Sequence, residues 1–163
     1  MEIYFWGFLG GIVGAVLMDI TETMAAKHGL VSGVTIAFIG RWFCGLWRNQ
    51  FRHTDIRRSP SQHNEVKMGW IVHFIAGGGG VALLFPLFFH ATGIPYPNQL
   101  VFSGILFGLI TSLLPWLILL PAFGWGFFGV RGPQGSNALI ASMLSHIPYG
   151  LGVVVMIAVG RHI

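Results

Sequence analysis

The chain has 163 residues, of which 54% are apolar or aromatic and only 9% are charged, against about 25% charged in soluble domains. Nine Lys and Arg with five Asp and Glu are too few to cover a water-soluble surface, and the mean hydropathy of +0.73 makes lipid the simplest main solvent. The net charge of +4 does not point to nucleic acid, because the basic residues concentrate in one segment between apolar stretches, where they read as a topology signal.

The chain opens on Met1, Glu2 and Ile3 with no basic region before the apolar sequence, so the first helix is expected to be retained and not cleaved as a signal peptide. That helix is predicted over about 3–24. A long loop, 25–68, follows. Its first part, Val34 to Trp47, mixes Ile36, Phe38, Ile39, Trp42 and Phe43 with Arg41 and Arg48, which predicts a short helix lying in the membrane interface. Its second part, Asn49 to Lys67, is polar and expected to be exposed. The second span is predicted over 69–89 and the third over 100–122. Between them, Tyr96 stands between Pro95 and Pro97 in a tight turn. Phe123 to Ser136 is apolar yet rich in glycine. It is read as a flexible connection with Trp125 and Phe128 as aromatic anchors, or as a segment that dips back into the membrane. The fourth span is predicted over 138–159. Each span is about 20 residues, matching a hydrocarbon core of about 30 Å. Continuous apolar runs exclude a β-barrel. The expected fold is an all-α integral membrane protein, a single domain over 1–163, with four transmembrane helices plus a short interfacial helix in the first, cytoplasmic loop.

Lys27, Arg41, Arg48, Arg52, Arg57, Arg58 and Lys67 all fall between the first two spans, and Arg131 falls after the third. By the positive-inside rule these loops face the cytoplasm, which puts both termini outside. Gly7 and Gly11, Gly10 and Gly14, and Gly104 and Gly108 are spaced by four. This spacing lets helices approach closely, within one bundle or between subunits. Partners beyond the lipid bilayer would then be a second copy or a larger membrane complex joined through glycine faces. The run Gly77 to Gly80 can also mark a bent or partly unwound segment beside a cavity.

Ionisable groups inside a span are costly and need a reason. Asp19 and Glu22 share one face of the first helix, His73 lies about one turn into the second, and His146 lies in the fourth beside Ser145 and before Pro148. Under the topology above, all four fall in the cytoplasmic half. Pro148 removes a backbone hydrogen bond to Leu144 and is expected to kink its helix, with Tyr149 offering a hydroxyl nearby. Three readings follow. In one, the groups form a buried polar network, with Arg41 as counter-charge to Asp19 or Glu22. In another, they line a cavity that binds or passes a proton, cation or small solute. In the third, His73, His146 and Asp19 hold a metal or haem in a membrane enzyme; the cofactor itself is not readable, and a depth mismatch of about 7–8 Å between the two histidines, from 1.5 Å per residue, opposes it. No metal-binding, phosphate-binding, dinucleotide or hydrolase signature is present, which leans away from an enzyme.

Met18-Asp19 closing the first helix, Gly40-Arg41-Trp42 and Phe51-Arg52-His53 in the loop, Gly69-Trp70 leading to His73, Pro121 with the glycine-aromatic segment to Phe128, and Ser145-His146 together resemble a family of small bacterial inner-membrane proteins, domain of unknown function 2938. The likeness covers nearly the whole chain. It implies a four-helix protein of the bacterial inner membrane and assigns no activity. One departure is Leu120, near which the family pattern implies glutamine.

Overall fold

The computed structural model describes residues 1–162. Four long helices carry the architecture: α1 (Glu2–Ala26), α3 (Glu65–Thr92), α4 (Leu100–Ala122) and α5 (Ser136–Gly160), each long and apolar enough to cross a membrane. A shorter helix, α2 (Ile36–Leu46), lies in the first connection. No strand occurs among the described residues. The local signals are ordinary ones. Thr35 caps α2, its hydroxyl accepting from the Phe38 N–H at 3.2 Å. Gly93 ends α3 in the left-handed region, at φ 70°.

α5 is the central helix. It packs along α1 on one side and α4 on the other, and α1 packs in turn on the middle of α3. Glycine faces make these approaches possible. A Cβ at Gly10 or Gly14 would strike the backbone of Val153 or Tyr149, and one at Gly108 would strike the His146 carbonyl. These glycines are therefore engaged inside one bundle. Ala82, Phe85, Tyr149, Val153, Val154 and Ile157 form the core at this junction. Phe5, Ile20, Phe88, Phe102 and Val155 face outward, all more than half or about half exposed.

Two of the long helices widen locally into π-helix, over Val72–Gly80 in α3 and Pro115–Leu119 in α4. Each has a local cause. Gly77 to Gly80 gives α3 little side-chain packing to hold a tight turn, and Pro115 has no N–H to offer the Thr111 carbonyl. α5, by contrast, runs on through Pro148.

The connections correct two expectations. The segment 49–67 is not uniformly exposed: Ile56 is fully buried and His53 nearly so. Nor is Trp125 an anchor at the lipid boundary. It is buried with Ile56, Leu120 and Phe123 in a second small core, while Phe128 stays partly exposed. The two loops are stitched together, His53 N–H to the Ala122 carbonyl at 2.8 Å and Ile56 N–H to the Phe123 carbonyl at 2.9 Å. Gly124 makes this possible, because its φ of +86° suits glycine and a Cβ there would strike the Thr54 backbone. The physical reason for the burial is local. An apolar residue among charges can be covered by an aromatic loop remote in sequence, which periodicity cannot reveal.

A polar cavity framed by the two π-helical segments

Arg41 leaves the site that the sequence assigned to it. Its guanidinium pairs bidentately with Glu65, Nε to Oε2 and Nη2 to Oε1, both at 2.8 Å. Its remaining nitrogen, Nη1, donates to the carbonyls of Ile56 and Ser59, each at 2.9 Å. Arg41 is thus a structural tie between α2, the start of α3 and the 53–59 loop, and not the counter-charge of Asp19 or Glu22. The reason is geometric. Gly40 and Gly69 let α2 and α3 cross so closely that a Cβ at either would strike the other's backbone, which brings Arg41 onto Glu65.

The other candidates do converge. Asp19, Glu22, His73 and His146 all line one cavity of about 490 Å³, enclosed by α1, α3, α4 and α5. Ser32, Ile36, Ile39 and Trp42, from α2 and the strap before it, close its end. His73 Nε2 lies 3.0 Å from Asp19 Oδ1. That nitrogen is nevertheless without an aligned hydrogen bond, so the pair is a close contact and not a directed hydrogen bond. Glu22 accepts from the Ser145 hydroxyl at 3.3 Å. His146 Nδ1 sits 2.7 Å from the Ser142 carbonyl. A carbonyl only accepts, so this contact makes Nδ1 the donor and leaves Nε2 as an acceptor in the neutral ring.

Two features of the site go beyond the sequence reading, which named the Tyr149 hydroxyl without its partners and did not place Trp116 in the cavity. The Tyr149 hydroxyl donates to the Gly78 carbonyl at 2.7 Å and approaches that of Gly77 at 3.2 Å, so it satisfies backbone acceptors loosened by the π-helical turns of α3. Trp116, inside the π-helical segment of α4, lines the cavity with its indole N–H buried and unpartnered. The spacing of Ser142 and His146, one helical turn apart, was a visible signal for their contact. Nothing in the spacing signals Trp116, whose position depends on the widened turn.

The lining carries two carboxylates, two imidazoles and three serine or threonine side chains besides Thr35, and no lysine or arginine among the described residues. Among the described residues, no three histidine, cysteine, aspartate or glutamate side chains gather as a metal site. Asp19 meets His73, but His146 is turned to Ser142.

Fold and cavity together define a helical bundle with four helices of membrane-crossing length around a mainly apolar pocket that holds four ionisable side chains, the form of a multi-pass membrane protein. The chain belongs to the family described as protein of unknown function (DUF2938), which matches over residues 8–159. No curated protein and no solved structure matches it.

Proposed function

We propose that this protein is a multi-pass protein of the bacterial inner membrane that binds a small solute or cation in the cavity and exchanges protons through its walls. Both termini face outward, α2 lies in the cytoplasmic interface, and the cavity occupies the inner half of the bundle. The basic residues between α1 and α3, together with Arg131, support this orientation. The observation that carries the functional reading is the gathering of Asp19, Glu22, His73 and His146, from three separate long helices, around one cavity. Titratable groups at membrane depth are costly. Here they are neither dispersed nor all consumed by internal bonds: Glu22 has only serine hydroxyls as hydrogen-bond partners, and His73 Nε2 has no aligned partner. Groups in this condition hold or pass a proton, or wait for a ligand that completes them.

The test is proton movement across reconstituted liposomes carrying an internal pH dye. Asp19→Asn and His73→Ala are each expected to change the rate at which an imposed pH gradient relaxes, relative to the wild type. Wild-type rates in both variants discard the reading.

A further inference from the structure

We propose that the cavity takes a lipophilic organic cation, and that it does so from the lipid side, through the gap between the π-helical segments of α3 and α4. The inference rests on the reading of the cavity as a binding site and adds the ligand class and its route. Two independent features support it.

The first is charge and shape. A cavity of about 490 Å³ lies within the 300–1,000 Å³ typical of sites for drug-sized molecules. Apolar side chains make most of its wall, and Trp42, Trp116 and Tyr149 supply aromatic surface. Its acidic groups are Asp19 and Glu22, and among the described residues its lining offers no basic side chain besides histidine. In a low-dielectric pocket an uncompensated carboxylate favours a cation and opposes an anion strongly. Aromatic walls favour a large, poorly hydrated cation over a small hydrated one. A metal ion is less well served, since only Asp19 and His73 meet and no third ligand joins them.

The second is the opening. α1 and α4 each pack closely on α5, and α1 holds α3, but α3 and α4 make at most marginal backbone contact. At one end the rings of Phe85 and Phe107 bridge them, with centroids 5.3 Å apart. At the cavity they do not close. Ala76 and Gly77 on α3 and Ile118 on α4 line the cavity and are all exposed, as residues at an open mouth would be. In a membrane that surface faces acyl chains, so a lipid-dissolved cation reaches the carboxylates without crossing water. The two π-helical segments border this gap, and Gly77 keeps side chains out of it.

The experiment uses the full-length protein in lipid nanodiscs with a near-isosteric pair of opposite charge, tetraphenylphosphonium and tetraphenylborate. Tetraphenylphosphonium is expected to bind saturably above the level of empty discs. Tetraphenylborate is expected to bind no more than to empty discs. In Asp19→Asn combined with Glu22→Gln the phosphonium affinity is expected to fall by about tenfold or more, the loss of one well-placed charge interaction. Ile118→Trp, which bulks the mouth, is expected to slow association severalfold, whereas Val155→Trp, equally exposed on α5, leaves it unchanged. Non-saturable uptake of the phosphonium, or equal binding of the borate, overturns the ligand class, and does so on wild-type protein even if the double variant fails to fold. Equal association rates in the two tryptophan variants overturn the lateral route. If phosphonium binding is absent while Asp19→Asn still alters proton flux, the ligand class fails and the broader reading stands. If both are absent, the two fail together.

Discussion

A buried guanidinium paired with one carboxylate adds little net stability, because desolvation offsets the attraction. Arg41 is held differently, since it also closes the carbonyls of Ile56 and Ser59. Removing it strips Glu65 of its charge partner and the Ser59 carbonyl of its donor, while Glu65 keeps the Gln62 N–H and the Ile56 carbonyl keeps the Ser59 N–H. Arg41→Ala is therefore expected to lower stability by about 3–5 kcal/mol, seen as a marked drop in the unfolding temperature in detergent. Arg41→Lys recovers only part, because an ammonium cannot hold the carboxylate bidentately and reach the carbonyls together. His53 next door sets a pH dependence. Burial, and then the positive charge of Arg41, push its proton affinity below the ordinary histidine value. The folded loop thus keeps the imidazole neutral, while the unfolded loop takes up a proton near pH 6.5. Local stability is full above that pH and falls as the solution is acidified through it. Asp55, whose carboxyl the Arg57 hydrogen bonds hold below its usual range, changes the balance only at far lower pH. Amide exchange at Ile56, corrected for its intrinsic rate, is expected to lose protection between about pH 7.5 and 5.5. His53→Phe is expected to flatten that dependence; an unchanged slope in the variant removes His53 as its source.

Among the elements, the long helices were the legible part. Apolar runs of sufficient length announced α1, α3, α4 and α5 to within a few residues at each end, because lipid imposes a length that the sequence must meet. Their glycine spacing also forecast close contact. What periodicity could not decide was which helices touch: Gly10 and Gly14 of α1 and Gly104 and Gly108 of α4 face α5, while Gly11 of α1 faces Gly78 and Ala82 of α3. Gly108→Ala would press a methyl into the His146 carbonyl, and overpacking of this kind costs about 1–3 kcal/mol. The expected outcome is a lower unfolding temperature together with displacement of His146, read as a shift in its imidazole resonances. An exposed position on the same helix, Leu106, should accept alanine with little effect. The π-helical turns were less legible. The run Gly77 to Gly80 hinted at one, but the companion turn at Pro115 and the Tyr149 hydroxyl that stabilises the first depend on contacts distant in sequence. Tyr149→Phe removes one of the two donors to the Gly78 carbonyl, which keeps the Val81 N–H, and is expected to cost about 0.5–1.5 kcal/mol, seen as a small drop in the unfolding temperature.

At the scale of the molecule, the candidate site was half legible. Ionisable residues in apolar runs are conspicuous, so Asp19, Glu22, His73 and His146 could be named and expected in one half of the bundle from helix direction alone, though not at one depth. Arg41 misled, because a charge on a short helix shows nothing of its partner when Glu65 lies on another element. It also bears on topology. Arg41 is buried in an ion pair, so the charge bias of the first connection rests on Lys27, Arg48, Arg52, Arg57, Arg58 and Lys67. These remain exposed and are sufficient for the positive-inside argument. The orientation decides what the cavity serves, since a pocket closed by α2 and opening between α3 and α4 faces the inner leaflet in one orientation and the outer leaflet in the other. The chain has a single cysteine, Cys44, so Cys44→Ser provides a background in which one new thiol reports one loop. Ser61→Cys lies in the first connection and Asn98→Cys in the turn between α3 and α4, both exposed. In intact cells a membrane-impermeant maleimide is expected to label Asn98→Cys and to leave Ser61→Cys unmodified until the inner membrane is permeabilised. The reverse pattern would turn the bundle over, place the carboxylates of Asp19 and Glu22 toward the outer leaflet, and make the cavity a receiver of solutes from outside the cell.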